Sequence, residues 1–497
     1  CCFMDQSWRR LSGGVMPQAK IRAQQAANST ALAWGFGGVS VGIKNNLLGV
    51  WILYYYSEVL GVDAYLVALT LAVALVVDAI SDPLVGIWSD RTRSRWGRRH
   101  PFIYAAIAPF TLSYYFILQD PGDASSNEIF FRLLILMLVM RLSMTFYEVP
   151  RNALAPELSK DYDQRNKLAG YSSAFGWFGG AVISHYVMSA YLLGDSFSDA
   201  NGYELLGFWG GLWLFIGTVV SSLGTHHKIP DLHEPAPRSA NLQKLFLEIK
   251  ETLSNKNWAV LFLAGCIFAI QVGADTGAGT YYNEYLWEWQ PSDIAIFAAF
   301  QALSVIAISL AAPALTVGRN KKHIAVSVFL LAVITSPLPF FLRLIDPYFA
   351  FATFPSNGTD MLWWTLLIHA CATASLSALG FIYVASMQME LVEAVQIKTG
   401  RRDEALLGTA SSMMHKLIGA GGTLLAGMII SISGFDNPDL TYAAKTTEAI
   451  ATFSWIHVAF SFFLPLCSTC VIMFYSIDPE GHLERLESLG YTEKEVS

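Results

Sequence analysis

Charge is what this 497-residue sequence has least of. Only 14% of its residues are Asp, Glu, Lys or Arg, against about 25% in average soluble domains. Hydrophobic residues make up 54% and the mean hydropathy is +0.42. That deficit excludes a cytosolic enzyme and a disordered chain. The net charge of −7 is spread over loops and excludes a nucleic-acid partner. Cysteine is scarce too, and Cys266, Cys371, Cys467 and Cys470 lie inside apolar stretches. Cys467 and Cys470 have redox or zinc spacing without a histidine close in sequence, so packing is their expected use and no metal is expected. No His-Glu-x-x-His motif occurs, and the chain is read as a non-enzyme. Residues 1–30 are polar and carry Arg9, Arg10, Lys20 and Arg22, which reads as a tail and not as a secretory leader.

What the sequence does have is long apolar runs. A span needs about 20 apolar residues plus a connector, so a chain of this length holds about twelve. The runs fall at 31–59, 64–89, 102–119, 129–152, 168–193, 205–225, 257–287, 291–317, 324–343, 361–389, 405–432 and 449–476. Backbone groups in lipid must be satisfied internally, so runs this long are helices. An all-α integral membrane protein follows. Glycine clusters at Gly176, Gly179 and Gly180, and at Gly419, Gly421 and Gly422, let neighbouring helix backbones approach closely.

Orientation follows from the 32 Lys and Arg residues. Arg132, Arg343 and Lys445 fall on one side; Lys44, Arg141 and Lys416 lie within or near spans; all the others collect on the second side. By the positive-inside rule, both termini and the central loop face the cytoplasm of a cell (inner) membrane. The expected organisation is an N-tail at 1–30, a six-helix bundle at 31–225, a central loop at 226–256, a second six-helix bundle at 257–476 and a C-tail at 477–497. From Asn241 the central loop reads as an amphipathic interfacial helix, with Leu242, Leu245, Phe246, Ile249 and Leu253 on one face.

Ionisable residues inside spans carry the chemistry, because each costs roughly 2.5–3.5 kcal/mol at mid-membrane. Asp78 and Asp82 are four apart and share a helix face, with Ser81 on an adjoining edge. Two close carboxylates repel unless a proton, a cation or a lysine offsets them. An all-oxygen cluster suits a hard cation. Thr145, Glu148 and Asn152 make one polar face on the fourth span, and Lys416 is a lone ammonium in the eleventh. Two aspartates and a glutamate against one lysine balance poorly as a purely structural network. Lys44, Asp275 and Glu284 are further candidates for the pathway, whereas His185 and His369 read as packing histidines. In the loop after the second span, Arg91, Arg93, Arg95, Arg98 and Arg99 surround Asp90 between Gly86 and Gly97, a charge network able to latch one conformation.

The stretch from Asp78 to Pro83, followed by Ser89-Asp90-Arg91-Thr92-Arg93-Ser94-Arg95-Trp96-Gly97-Arg98-Arg99, resembles the glycoside–pentoside–hexuronide:cation symporters, the melibiose-permease-like branch of the major facilitator superfamily. Tyr54-Tyr55-Tyr56-Ser57-Glu58, Glu148-Val149-Pro150, and Glu404 twelve residues before Lys416 also fit that pattern. The resemblance implies a major-facilitator fold of twelve transmembrane helices in two six-helix bundles. It implies a cation site at Asp78, Ser81, Asp82 and Thr145, with Glu148 and Lys416 between cation and substrate. The sugar-binding half departs from the pattern: the first-helix aspartate falls at Gly42, a helix-four tryptophan at Asn152, a helix-five arginine near Ser173 and a helix-ten tryptophan at Phe381.

The expected function is secondary active transport by alternating access, coupling Na⁺ or H⁺ to a glycoside or related small organic solute held near Glu148, Asn152, Tyr171, Ser173 and Phe381. No cofactor is expected beyond the coupling ion, and the carrier is expected to work as a monomer among membrane lipids. A carrier of lysolipids or other amphiphiles is the alternative on the same fold. A metal-dependent intramembrane transferase using Asp78, Asp82 and Asp90 is a remote one, since the Gly and Ala-Arg residues that follow the first Asp pair in such enzymes are absent.

Overall fold

A computed structural model describes residues 28–158, 162–229, 256–316, 321–348, 354–399, 419–435, 437 and 440–476. Every regular element among them is helical. Each of the twelve apolar runs coincides with a helix: α1 (Asn28–Val59), α2 (Ala64–Arg91), α3 (His100–Ile117), α4 (Ser126–Leu158) and α5, which begins as Tyr162–Trp177 and continues in wider turns through Leu192. Then follow α6 (Ala200–His226), α7 (Lys256–Leu286), α8 (Pro291–Ala312), α9 (Lys322–Tyr348), α10 (Asp360–Thr399), α11 (Gly419–Ile432) and α12 (Tyr442–Met473). Among the described residues nine of these are long and apolar enough to cross a membrane. Of the others, α3 is diluted by His100, two prolines and three tyrosines, α5 starts polar, and α11 is described only from residue 419. The amphipathic segment expected from Asn241 and the two tails lie outside the described residues.

Local chemistry sets where the helices begin. Asp63 caps α2 by accepting from the Tyr65 amide at 2.7 Å, and Asp199 caps α6 through Asn201 at 3.1 Å. At the start of α4, Ser125 and Glu128 form a reciprocal box, the Glu128 carboxylate taking the Ser125 amide at 2.8 Å. Pro83 inside α2 cannot donate to the helical ladder, so a backbone carbonyl is left free beside the acidic pair.

In the first half α4 packs on α2 and α3, while α1 lies between α5 and α6; in the second, α7 packs on α12 and α10 on α8 and α9. The α1–α5 contact is backbone on backbone. A methyl group placed on Gly42 would collide with the Gly176 carbonyl oxygen, and one on Gly180 would stand 3.0 Å from the Gly42 oxygen. Large apolar side chains such as Leu310 (79% exposed) and Ile334 (61%) cover the outside, as a surface facing lipid requires.

The two halves meet at the end remote from the arginine-rich loop 92–99. There Tyr54 donates to Glu284, Ser57 bonds Tyr281, and Tyr285 donates to Glu58 Oε2 at 2.7 Å. Lys445 Nζ lies 2.6 Å from the same Glu58 oxygen. Tyr54 edge-on to Tyr281 at 5.3 Å completes an aromatic closure.

Candidate transport site

The site grows from one face of α2. Asp78, Ser81 and Asp82 lie within one turn, and α4 brings Thr145 to them. The Thr145 hydroxyl donates to Asp78 Oδ1 at 2.8 Å and lies 3.1 Å from both Asp82 Oδ1 and Ser81 Oγ. Asp78 and Thr145 are completely buried. The four residues expected to hold a cation are thus brought together, with only oxygen atoms converging, a donor set suited to a small hard cation or a proton.

Two basic residues alter the charge balance read from the sequence. Arg141 stands one turn before Thr145 on α4 and places Nη1 3.5 Å from Asp78 Oδ2. Lys44 of α1 pairs with Glu148 at 3.0 Å, both side chains largely buried. The acids are therefore not opposed by Lys416 alone; Lys416 itself lies outside the described residues. Arg141 was legible in principle, since its four-residue step to Thr145 puts it on the polar face of α4. The partner of Glu148, 104 residues away, was not.

Beside Glu148 opens a cavity of about 920 Å³ between the halves. Glu148, Asn152 and Ser173 line it, as expected. Tyr171 does not: its Cβ lies 2.6 Å from where a Gly35 methyl would sit, so the side chain packs against α1. The Phe381 side chain lies outside what is described. His185 and His369, expected only to pack, both line the cavity. They also keep structural contacts, His185 stacking on Trp51 at 5.4 Å and His369 Nε2 lying 2.8 Å from the Thr335 carbonyl. Of the further pathway candidates, Glu284 belongs to the closed end and Asp275 to a separate small cavity.

The sequence reading missed most of the cavity wall. Trp34, Trp177, Trp287 and Trp289 offer flat apolar faces, and Asn45, Asn46, Asn283 and Gln301 offer amides. Such a wall suits a ligand that is apolar on its ring faces and rich in hydroxyls at its edges. Arg151 also reaches it, held over the Trp34 ring at 4.3 Å and donating to the Trp34 carbonyl at 2.8 Å.

Among the described residues, Arg98 and Arg99 of the charge network after α2 reach Asp90. Arg99 Nη2 lies 2.7 Å from Asp90 Oδ1 and donates through Nη1 to Ser89 at 3.0 Å; Arg98 is 3.9 Å from Asp90. Arg91 is exposed, and Arg95 lies over the Trp96 ring at 5.1 Å, so neither joins Asp90. Gly97, at φ 71°, makes the left-handed turn that swings Arg98 and Arg99 back. At Gly86 a methyl would meet Val149 at an ordinary 3.6 Å, so this contact does not demand glycine.

Residues 33–479 match the family described as MFS/sugar transport protein. The chain belongs to this family. It is a multi-pass membrane protein of a transporter family, not an enzyme. Among relatives of this MFS/sugar transport chain, an uncharacterised symporter of Synechocystis sp. is 34% identical over 169 residues, covering 33% of this chain and 31% of that protein. The isoprimeverose transporter of Lactiplantibacillus pentosus is 20% identical over 94% of this chain and 92% of its own length. A bacterial homologue of the iron transporter ferroportin, solved in an inward-facing state, superposes with a TM-score of 0.61 at 12% identity, covering 91% of this chain and all of that one.

Proposed function

We propose that this protein is a symporter that moves a glycoside or related small hydroxylated solute together with Na⁺ or H⁺ by alternating access. The observation that carries the reading is the adjacency of two chemistries: an oxygen cluster built from Asp78, Ser81, Asp82 and Thr145, and one helical turn further along α4, Glu148 on the wall of a cavity of about 920 Å³. A solute touching Glu148 thereby senses the charge state of the cluster through α4 and the Lys44 pair. The sugar-transport family and the isoprimeverose relative favour a sugar-like solute, as do the tryptophan and amide walls.

The positive-inside distribution puts the arginine-rich loop in the cytoplasm. On that reading both termini are cytoplasmic, the closed end is external and the cavity faces inward. A cation entering the cluster competes with Arg141 for Asp78. In the ion-free carrier Arg141 holds that carboxylate, sharing the counter-ion role that the resemblance gives to Lys416. Cation and solute then strengthen each other's binding by one common factor, because linkage is reciprocal.

The test is uptake into right-side-out vesicles of a panel of glycosides, uronides and lysolipids, each under an inward Na⁺ gradient, an inward H⁺ gradient or neither. Accumulation of a glycoside only under a gradient, lost in Asp82→Ala while counterflow persists, is expected. Gradient-driven accumulation unchanged in Asp82→Ala refutes the cation site, and accumulation of lysolipids alone replaces the solute class.

A further inference from the structure

The second half of the molecule holds an acid that the cluster on α2 does not use. Asp275 sits inside α7 and faces α12. Its Oδ1 lies 3.6 Å from His457 Nδ1 and 3.5 Å from the donating Ser461 hydroxyl, and its Oδ2 accepts from Gln271 Nε2 at 3.4 Å. Ser461 Oγ is also 3.2 Å from His457 Nε2, so acid, hydroxyl and imidazole form one cluster. Asp275 and His457 border a cavity of about 10 Å³ walled by Ala426, Ile429, Phe453 and Phe460. Gln271 Oε1 and the Tyr282 hydroxyl, both on side chains more than nine-tenths buried, line this space without a hydrogen-bond partner. The other titratable groups nearby are Tyr282 on α7 and His369 on α10, beyond His457. Among the described residues no Lys or Arg pairs with Asp275.

We propose that Asp275 and His457 form a proton-binding site in the second bundle, holding one proton shared between carboxylate and imidazole, and that its occupancy is linked to the closed end. A bare carboxylate inside a span is costly, and a neutral or proton-sharing pair removes that cost. The cavity has room for one water at most, so a hydrated metal ion does not fit, whereas a proton needs no space. The link runs through α7. Tyr282 covers the pair, its ring 4.8 Å from both His457 and Phe453. Tyr281 and Tyr285 on the same turn make the closing bonds to Ser57 and Glu58. Opening that end displaces the turn carrying Tyr282 and uncovers the pair. The proposal rests on the transport reading only in assuming that this end opens.

Two readouts on purified protein in lipid need no substrate, so they stand or fall independently of the uptake experiment. Infrared difference spectra over a pH titration are expected to contain one protonated-carboxyl band that disappears in Asp275→Asn, persists in Asp275→Glu and moves its midpoint by about one pH unit, a tenfold change in proton affinity, in His457→Gln. Hydrogen exchange of the 281–286 segment, corrected for the intrinsic rate, is expected to change several-fold across the same titration in wild type and to stay flat in Asp275→Asn. A spectrum unaltered by Asp275→Asn overturns the site. An identical exchange response in both proteins overturns the link to the closed end. Persistence of the band in Asp275→Glu separates loss of the proton from loss of the fold.

Discussion

Removing the guanidinium of Arg141 tests whether it is the resident counter-charge of the oxygen cluster on α2. Asp78 has no solvent-exposed surface, and Arg141 Nη1 stands 3.5 Å from its Oδ2. Stripping one partner from a buried pair costs about 3–5 kcal/mol, because the other charge stays behind. The loss has a ceiling, since a proton can take the place of the guanidinium. Protonating an ordinary carboxyl of pKa near 3.9 at pH 7 costs about 4 kcal/mol. Arg141→Gln is therefore expected to lose about 3–4 kcal/mol of stability at pH 7. Reversible unfolding in mild detergent at pH 7 measures this for Arg141→Gln, Asp78→Asn and the double variant. With both charges gone, the double variant should recover most of what either single variant loses. An Arg141→Gln protein as stable as wild type at pH 7, or a double variant whose loss equals the sum of the two, would refute the reasoning.

Two further outcomes follow from the same geometry. Lys445→Gln removes the ammonium 2.6 Å from Glu58 and should loosen the closed end, so that a cysteine placed at Ser57 reacts with maleimide several-fold faster; an unchanged rate would mean that the aromatic closure alone holds it. Arg151→Lys keeps the charge but cannot reproduce the planar donors to the Trp34 carbonyl at 2.8 Å and Ser172 Oγ at 3.0 Å, and a loss of about 1–2 kcal/mol is expected in the same unfolding assay, with no loss expected if Arg151 serves only as a charge.

The helices were legible because lipid makes run length an absolute criterion, and each apolar run contains a helix among the described residues. The oxygen cluster was legible for a different reason: Asp78, Ser81 and Asp82 are neighbours on a single turn, and only Thr145 had to come from elsewhere. Pairings between helices were not. Lys44 and Glu148 are 104 residues apart, and no local pattern joins them. Tyr171 was placed on the cavity face because polar and apolar residues are mixed all round the 162–177 stretch of α5, so its composition does not say which face meets the cavity. The tryptophans at 34, 177, 287 and 289 were unreadable as a group, since indoles also pack in cores and anchor at membrane interfaces. Only the meeting of the two halves made them one wall.

The contact between Gly42 and Gly176 bears on how solute preference can change in such carriers. At the first-helix position where the resemblance puts a sugar-gripping acid, the space belongs to the backbone of α5. An acid introduced at 42 would meet main chain before it met any solute and would wedge the two helices apart. On the proposed reading, solute preference at this position is set by the spacing of two helices, not by the identity of one side chain. Exchanging one preference for another therefore takes coordinated changes on both helices, and the intermediates along the way are damaged carriers before they are new ones.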